Sequence, residues 1–270
     1  MLKIIHAGRS LRELLFLITV GLVPVLSGLL VMIVQLEMKL AENAAVSVQE
    51  AVFSVDQALN RLHEAAQRAL PLAGKPCESV KSVLQEQVVS RSMLRSLTLV
   101  KGNEAYCSST SDSLDYLSAL TLSGQQVDLS YGQPDRRRKM LVNFYVQGSS
   151  SGSGVIVTAY ASQLRNELDA FQDGLTLLLE FGDRYIWNKG DSRDAQRPSQ
   201  SEFLATALSA RYGYRVKGGY AQGYTAQEIR QSMMQILPSL ILVGIVTGSI
   251  VYLGLVRARS NSRDRAANVT

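Results

Sequence analysis

Two long apolar stretches without any charged side chain constrain this chain more than any other feature of its sequence. Residues 14–34 and 236–256 are 21 residues each and contain no Asp, Glu, Lys or Arg. An α-helix rises about 1.5 Å per residue, so each stretch covers the roughly 30 Å hydrocarbon core of a bilayer. The first stretch is too long for the apolar part of a cleavable signal peptide, and no small-x-small site follows it closely. We therefore predict two transmembrane helices, with residues 35–235 between them on one side of the membrane.

The basic side chains at the two ends predict the orientation of the chain, whose formal net charge is +5. Residues 1–13 hold three basic side chains against one acidic one, and residues 257–270 hold four against one. These two ends account for the whole net charge, so residues 35–235 have no net charge. They therefore lack the excess of basic side chains that is typical of a nucleic-acid-binding domain. Under the positive-inside rule both termini are cytoplasmic. We expect a bacterial inner-membrane protein whose central domain is periplasmic.

Periodicity predicts that the first apolar stretch continues as a long stalk helix. Residues 35–70 contain no Gly or Pro, and apolar residues recur there at steps of three and four. This stripe packs either against the domain itself or against a partner subunit. Its members are Ala45, Val48, Val52, Val55, Leu59, Leu62, Ala66 and Ala69.

The rest of the central segment predicts an α+β domain in which an antiparallel sheet follows the long N-terminal helix. Thr225 and Glu228 have the spacing of a capping box, which would begin an exit helix that continues into the second apolar stretch. No internal sequence repeat is visible. The pattern predicts helices at 80–89 and 162–172, strands at 96–101, 105–107, 140–147, 155–160, 175–181, 184–188 and 212–220, a polar surface loop at 189–202, and an ambiguous segment at 203–210.

The sequence lacks the residue patterns of an enzyme or a metal centre. His63, beside Glu64, has no further ligands at metal-binding spacing, and we interpret it as a surface histidine. The Gly/Ser-rich residues 148–154 lack the Lys-Ser/Thr of a P-loop and are predicted to be a hairpin loop. The basic residues 136–139 favour a solvated turn over an anion clamp. No catalytic residue, metal or cofactor is predicted.

The chain contains two cysteines, Cys77 and Cys107, and both lie in the segment predicted to be outside the cytoplasm. An even pair in an oxidising compartment is typical of a disulfide. Closing the 31-residue span between them would stabilise the fold by about 3.5–4 kcal/mol on the loop-entropy model. The bond is either a permanent staple or a redox-labile bridge, and lability requires strain or exposure.

The four residues from Tyr106 to Ser109 read Tyr-Cys-Ser-Ser, with Cys77 upstream directly after a proline and Arg-Ser-Leu-Thr-Leu-Val at 95–100 between the cysteines. This constellation, built on Cys107, Ser108 and Ser109, resembles the CSS-motif family, the periplasmic sensor domains of bacterial membrane-bound cyclic-di-GMP phosphodiesterases. The two flanking spans agree as well, so the resemblance covers residues 10–256. It implies a PAS/Cache-like fold and a disulfide between the two cysteines. It also implies that oxidation holds the output low, whereas free thiols raise it and expose the chain to periplasmic proteases.

The sequence departs from that family at its C-terminal end. Members carry a cytoplasmic EAL phosphodiesterase domain, but here 14 residues follow the second apolar stretch and no Glu-Ala-Leu triplet occurs. The metal-binding carboxylates of such an enzyme are therefore not expected in this chain. We expect a non-catalytic, redox-responsive sensor module. The alternatives are a Cache-like small-ligand sensor with a structural disulfide, and a truncated or split cyclic-guanylate-specific phosphodiesterase.

The second apolar stretch contains Gly244 and Gly248, a G-x-x-x-G spacing that lets two helices approach closely. Apolar spans contain this spacing frequently by chance, so packing through these glycines, and a homodimer built on it, is one hypothesis. The other expected partners are the lipid bilayer, a periplasmic thiol oxidase, periplasmic proteases and a separate EAL protein. No nucleic-acid partner is expected.

Overall fold

The computed structural model describes residues 2–102, 104–110, 126–131, 140–149, 152–171, 174–194 and 196–267, and among them the side chains within 14–257. The chain divides into two compact units, one of Met1–Leu40 with Gly223–Thr270 and one of Ala41–Gln222. The helices are α1 (Leu2–Ala69), α2 (Cys77–Val89), α3 (Ala161–Asp169) and α4 (Tyr224–Ala267), with a short 3-10 helix at Leu70–Leu72. The strands are β1 (Leu94–Lys101), β2 (Glu104–Ser108), β3 (Val127–Tyr131), β4 (Met140–Gln147), β5 (Gly154–Tyr160), β6 (Thr176–Phe181), β7 (Arg184–Trp187), β8 (Gly190–Asp191), β9 (Glu202–Leu208) and β10 (Arg215–Tyr220).

Helix α1 buries its apolar stripe inside the unit Ala41–Gln222. The stripe advances by alternating steps of four and three, with alanine at every seventh position and mostly Val or Leu between. Because these residues are buried within a single chain, the domain itself is the packing partner of the stalk. Of the predicted members, Ala45 is exposed and is replaced by Ala44, Val52 is half-buried, and Leu59 and Ala66 are buried beside the stripe. The buried members are Ala44, Val48, Ala51, Val55, Ala58, Leu62, Ala65 and Ala69, each at most 2% exposed.

The N-terminal sheet is antiparallel and has the strand order β2-β1-β5-β4-β3. One of its faces is apolar and buried, with Leu97, Val142 and Phe144 as central members. The Phe144 ring packs edge-on against His63 of α1, with ring centroids 5.8 Å apart. The apolar face therefore lies against the stalk helix. The opposite face carries polar side chains that are also buried, and these are described with the site.

The C-terminal sheet is also five-stranded and antiparallel, with the order β8-β7-β6-β10-β9. A Cβ atom at Gly218 of β10 would lie 2.5 Å from Val48 Cγ2, so any larger residue would force a shift where this strand meets α1. The segment between β9 and β10 is also bonded to α1, because Ser209 Oγ and Tyr214 OH donate to Asp56 Oδ1 at 2.8 and 2.7 Å. Burial and the Asp56 carboxylate raise the pKa of Tyr214, so the phenol stays neutral and remains a donor.

The two sheets share one topology. If the five strands of each sheet are numbered 1 to 5 along the chain, both sheets contain the neighbours 2-1-5-4. Strand 3 then pairs with strand 4 in the N-terminal sheet and with strand 2 in the C-terminal sheet. The α+β fold class is confirmed, but the structure divides the predicted antiparallel sheet into two. The same sheet topology therefore occurs twice in the structure, although the sequence shows no internal repeat.

Most predicted elements are confirmed, and four differ. Helix α2 begins at Cys77 rather than at residue 80, and Pro76 is its N-cap, with an extended ψ of 136° and a carbonyl that accepts from Ser79 N at 3.1 Å. Strand β3 was not predicted. The polar segment 189–202 is not wholly a surface loop, since Asp191 in β8 is 3% exposed. The ambiguous segment 203–210 is mainly β9.

The predicted capping box at Thr225 and Glu228 is wrong. Helix α4 begins at Tyr224, so Thr225 lies inside the first turn instead of capping it. Gly223 precedes the helix with a positive φ of 85°, and its carbonyl accepts from Gln227 N at 3.1 Å. The predicted continuation of this helix into the second apolar stretch is confirmed, because α4 runs without a break to Ala267.

The unit Met1–Leu40 with Gly223–Thr270 contains two helical segments long and apolar enough to cross a membrane, and the mean hydropathy of an 18-residue stretch reaches 2.6 in α1 and 2.3 in α4. The two segments pack directly at glycines. A Cβ atom at Gly244 would lie 2.6 Å from the Gly21 carbonyl oxygen, and one at Gly28 would lie 2.6 Å from Leu240 Cδ2. At Gly248 the nearest atom is Leu17 O at 3.9 Å. Gly244 therefore allows close packing within the chain, and a homodimer through this spacing stays a prediction.

Candidate functional site

The two cysteines form a disulfide that ties α2 to β2. Cys77 is the first residue of α2, Cys107 lies in β2, and their Cα atoms are 5.3 Å apart. Cys107 is 1% exposed and belongs to the core, whereas Cys77 is partly exposed. A reagent in solution therefore reaches the bridge from its Cys77 end.

A β-bulge in β2 lets both Tyr106 and Cys107 contact residues 74–77, at the start of α2 and just before it. Between Ala105 and Cys107 the register of β2 against β1 shifts, and Tyr106 is the extra residue. The Tyr106 hydroxyl accepts from Gly74 N at 2.8 Å and donates to the Lys75 carbonyl at 3.2 Å. The turn before α2 is thus fixed to β2 by two hydrogen bonds as well as by the covalent bridge.

The first serine of the motif belongs to the polar face of the N-terminal sheet. Successive side chains of a strand point to opposite faces, so Ser108 points away from the face that carries Cys107. Its hydroxyl oxygen accepts from Thr98 Oγ1 at 3.0 Å. On the same face Asn143 Nδ2 donates to Ser130 Oγ at 2.6 Å, and Thr158 Oγ1 donates to Asn143 Oδ1 at 3.0 Å. These buried polar residues are Thr98, Ser108, Ser130, Asn143 and Thr158.

The second serine continues the pairing of β1 after β2 has ended. Ser109 N donates to the Leu97 carbonyl at 2.9 Å, as in a regular ladder, but Leu97 N donates to Ser109 Oγ at 3.1 Å. The Ser109 carbonyl turns toward α2 instead and accepts from Gln85 Nε2 at 3.3 Å. The hydroxyl therefore replaces a backbone acceptor and frees the carbonyl to bind the helix that carries Cys77.

Ser109→Ala is expected to lower the free energy of unfolding by about 1–3 kcal/mol, because the buried Leu97 N–H loses its acceptor. Chemical denaturation of the full chain, followed by circular dichroism, measures the change. The matched control is Ser90→Ala, because Ser90 is exposed and bonds only locally to the Gln87 carbonyl. The control should stay within about 0.5 kcal/mol of the wild type. Equal losses in the two variants would contradict the role assigned to Ser109.

The structure also places the other residues singled out in the sequence. His63 is half-buried rather than fully at the surface, and its Nε2 lies 3.1 Å from Gln67 Nε2. Strands β4 and β5 pair antiparallel, so the predicted hairpin around 148–154 is confirmed. The basic residues 136–139 lie outside the described residues, as do the basic side chains of residues 1–13. Within the described part of the chain, no three His, Cys, Asp or Glu side chains are grouped to hold a metal ion.

Sequence reasoning missed two parts of this site. Tyr106 was quoted in the motif without a role, and its role depends on a bulge that no local pattern identifies. The polar face did leave a signal, because Asn143 and Thr158 interrupt otherwise apolar strands at positions that prove buried. A polar side chain buried in a strand needs partners, so two such residues indicate a shared polar face.

Comparison with known proteins identifies the class of this domain. The model of the CSS motif domain associated with EAL matches residues 40–233. The ligand-binding domain of the Pseudomonas aeruginosa PAO1 amino acid chemoreceptor PctB, in complex with L-Arg, is similar with a TM-score of 0.52 and 14% identity over 78% of this chain and 98% of that one. The sensory domain of the Campylobacter jejuni chemoreceptor Tlp3, with isoleucine bound, matches with a TM-score of 0.47 and 12% identity over 70% and 96%. None of the curated proteins matches.

The likeness to PctB shows the fold, which is that of an extracellular sensor domain, and the predicted Cache-like architecture is confirmed. Two apolar helices flank this domain in the sequence, which fits a membrane protein with a periplasmic domain. Since the family model covers most of the chain, the protein belongs to the CSS-motif family.

Proposed function

We propose that this chain is a redox-responsive sensor module that controls a cyclic-di-GMP phosphodiesterase of the EAL type. The observation that carries the proposal is the bridge itself, which joins the start of α2 to the buried Cys107 in the edge strand β2, in a domain of a family associated with EAL. Both motif serines accept hydrogen bonds from β1, Ser109 from Leu97 N and Ser108 from Thr98 Oγ1, so a change at Cys107 is passed to that strand.

The chemistry of the switch needs a thiol partner. A dithiol donor in the periplasm attacks the partly exposed Cys77 sulfur, and a mixed disulfide forms while the Cys107 thiolate leaves. The second donor thiol then displaces Cys77, so the bridge gains two electrons and two protons and the donor becomes a disulfide. A periplasmic thiol oxidase reverses the exchange. Burial of Cys107 beside the partly exposed Cys77 supports an attack at one end of the bond.

Unbroken helices support transmission of the change. Three residues separate the last strand of the C-terminal sheet from α4, which continues to Ala267, and α1 extends from Leu2 to Ala69. Helices of this kind pass on rotations or small shifts of the domain that they carry. We further propose that the chain lies in the bacterial inner membrane with both termini in the cytoplasm, which the basic residues at the two ends support.

A second candidate function is the binding of a small ligand by a Cache-like domain, with the bridge as a permanent staple. The polar face of the N-terminal sheet favours it, because Thr98, Asn143 and Thr158 are buried on a face that an ordinary core would fill with apolar side chains. Hydroxyl and amide groups on such a face are suited to polar ligands. The following experiment separates the two functions.

We expect reductant to raise the activity of a chimera of residues 1–258 with an active EAL domain by roughly 5-fold or more, a typical size of allosteric coupling. The Cys77→Ala chimera should have the activity of the reduced form and should not respond to reductant. Hydrolysis of cyclic di-GMP, measured in nanodiscs with and without reductant, gives both results.

The matched control is Asp191→Asn, which lowers stability without touching the bridge and should keep the response to reductant. Alkylation must show that the reductant has freed both thiols. Equal activity of the oxidised, reduced and Cys77→Ala chimeras would remove the redox function. The bridge would then be a staple, and the polar face would become the favoured input.

A further inference from the structure

A charged cleft lies at the end of α2 that is away from the bridge. A cleft of about 230 Å³ opens between α1 and the residues that join α2 to β1. Arg61, Glu64 and Arg68 line it from α1, and Arg91 and Ser92 line it from the connection. Its five polar side chains include three guanidinium groups.

The charge of this cleft is not balanced among its lining residues. Glu64 is the single carboxylate among its lining residues, and it lies 4.0 Å from Arg68 in an exposed i,i+4 pair. Such pairs are weak, since solvent screens them. Three guanidinium groups against one carboxylate leave a positive site that attracts anions.

Arg91 supplies the most direct sign of a missing partner. Its Nη1 atom is buried and has no hydrogen-bond partner among the described residues. Its backbone is fixed, because Arg91 N donates to the Val88 carbonyl at 3.1 Å and Leu94 N donates to the Arg91 carbonyl at 3.0 Å. A buried donor that is left unpaired is destabilising, and a turn of the Arg91 side chain toward an oxyanion in the cleft would give this donor an acceptor.

We propose that this cleft binds a small dianion, either a phosphate or a dicarboxylate. Guanidinium groups present their N–H donors as a planar fork that matches both groups. The volume is below the roughly 300 Å³ at which pockets for larger ligands begin. Leu94 provides a buried apolar wall, and Ser92 adds a hydroxyl donor beside Arg91. The proposal does not depend on the redox state of the bridge.

The test titrates the full chain with inorganic phosphate and, separately, with succinate. A phosphate-free nonionic detergent and chloride at constant ionic strength exclude lipid headgroups and simple salt effects, and calorimetry measures affinity. We expect saturable binding of at least one probe, and the probe that binds decides between phosphate and dicarboxylate. Arg91→Gln and Arg68→Gln should each weaken it about tenfold or more, the effect of removing one charge-assisted pair.

Three comparisons make the result specific. Arg91→Lys keeps the charge but loses the fork, so it should bind with intermediate affinity. Arg215→Gln removes an exposed charge from β10 and should bind like the wild type. Arg68 is exposed, so its variant keeps the result interpretable if Arg91→Gln unfolds. Absence of saturable binding by both probes below about 10 mM overturns the proposal. Equal losses in Arg68→Gln and Arg215→Gln overturn it as well, since binding would then follow net charge alone.

Discussion

Replacing Cys77 with alanine is expected to lower the free energy of unfolding by about 3.5–4 kcal/mol under oxidising conditions. The bridge closes a loop between residues 30 apart in sequence, and without it the unfolded chain regains the entropy of that loop. For a domain of this size the loss corresponds to a melting temperature lower by about 10 °C. Thermal unfolding followed by circular dichroism measures it.

The reduced wild-type protein is the control for this variant, because it lacks the same bond and retains both sulfurs. Its free energy of unfolding should agree with that of Cys77→Ala within about 1 kcal/mol, because the two proteins then differ only in the Cys77 sulfur atom. Cys107→Ala should be less stable than Cys77→Ala, since Cys107 is buried and its removal leaves a cavity in the core. A loss below about 1 kcal/mol in Cys77→Ala would contradict the loop-entropy account.

Asp191→Ala is expected to lower the free energy of unfolding by about 2–4 kcal/mol, as for a buried ion pair that loses one partner. The Asp191 side chain is 4% exposed, and its Oδ2 lies 2.7 Å from Arg193 Nη2 and 3.2 Å from Arg165 Nη2. The cluster also joins the two sheets, because Arg193 stacks on the Tyr131 ring of β3 at 5.0 Å and Ser192 bonds to its hydroxyl. Denaturant unfolding measures the loss.

The control is Glu64→Ala, which removes an exposed ion pair with Arg68. It should change the free energy of unfolding by at most about 0.5 kcal/mol, because solvent already screens that pair. Asp191→Asn keeps the shape and one acceptor oxygen and should fall between the wild type and Asp191→Ala. If Asp191→Ala were as mild as Glu64→Ala, the cluster would not hold the sheets together.

The contribution of Asp191 to the free energy of unfolding is expected to decrease as the pH falls. Burial alone would raise the pKa of Asp191, but hydrogen bonds from Arg193 and the charges of Arg193 and Arg165 hold it below its ordinary value. Because the pKa in the folded state lies below the unfolded value of about 3.9, the stabilisation is complete above that value. It is lost as the pH falls through the folded-state pKa. The difference between wild type and Asp191→Ala should therefore be largest at neutral pH and shrink in acid.

The elements with strong periodicity could be read from the sequence. The stripe of α1 repeats a helical pattern over more than three turns, and β4 and β5 are largely apolar runs of eight and seven residues rich in β-branched and aromatic side chains, so local physics determines them. The disulfide followed from the number of cysteines and their compartment. The motif at Cys107 led to the family and, through it, to the fold.

Other parts depend on contacts distant in sequence and could not be predicted. The shared topology of the two sheets is a matter of which strands pair, and pairing across β1 and β5 joins residues about 60 apart. Asp191 lies in a polar stretch of sequence that is typical of a surface loop. It is buried because it pairs with Arg165 and Arg193, and the pairing with Arg165 is not visible in the local sequence. Strand β3 is different: apolar and polar residues alternate in Val127–Tyr131, which is a local strand signal.

The alanine at every seventh position of α1 limits how the sensor can move. If α1 slid along the sheets by one turn, about 5.4 Å, Val or Leu side chains would enter sites shaped for Ala44, Ala51 and Ala58. Val48 already lies against Gly218, where no Cβ atom fits. The small alanine sites therefore fix the axial position of α1 against the sheets, because any sliding would overpack them. Any stimulus must tilt or turn α1 and the sheets together, so distance probes between Val48 and β10 should report a constant separation in every signalling state.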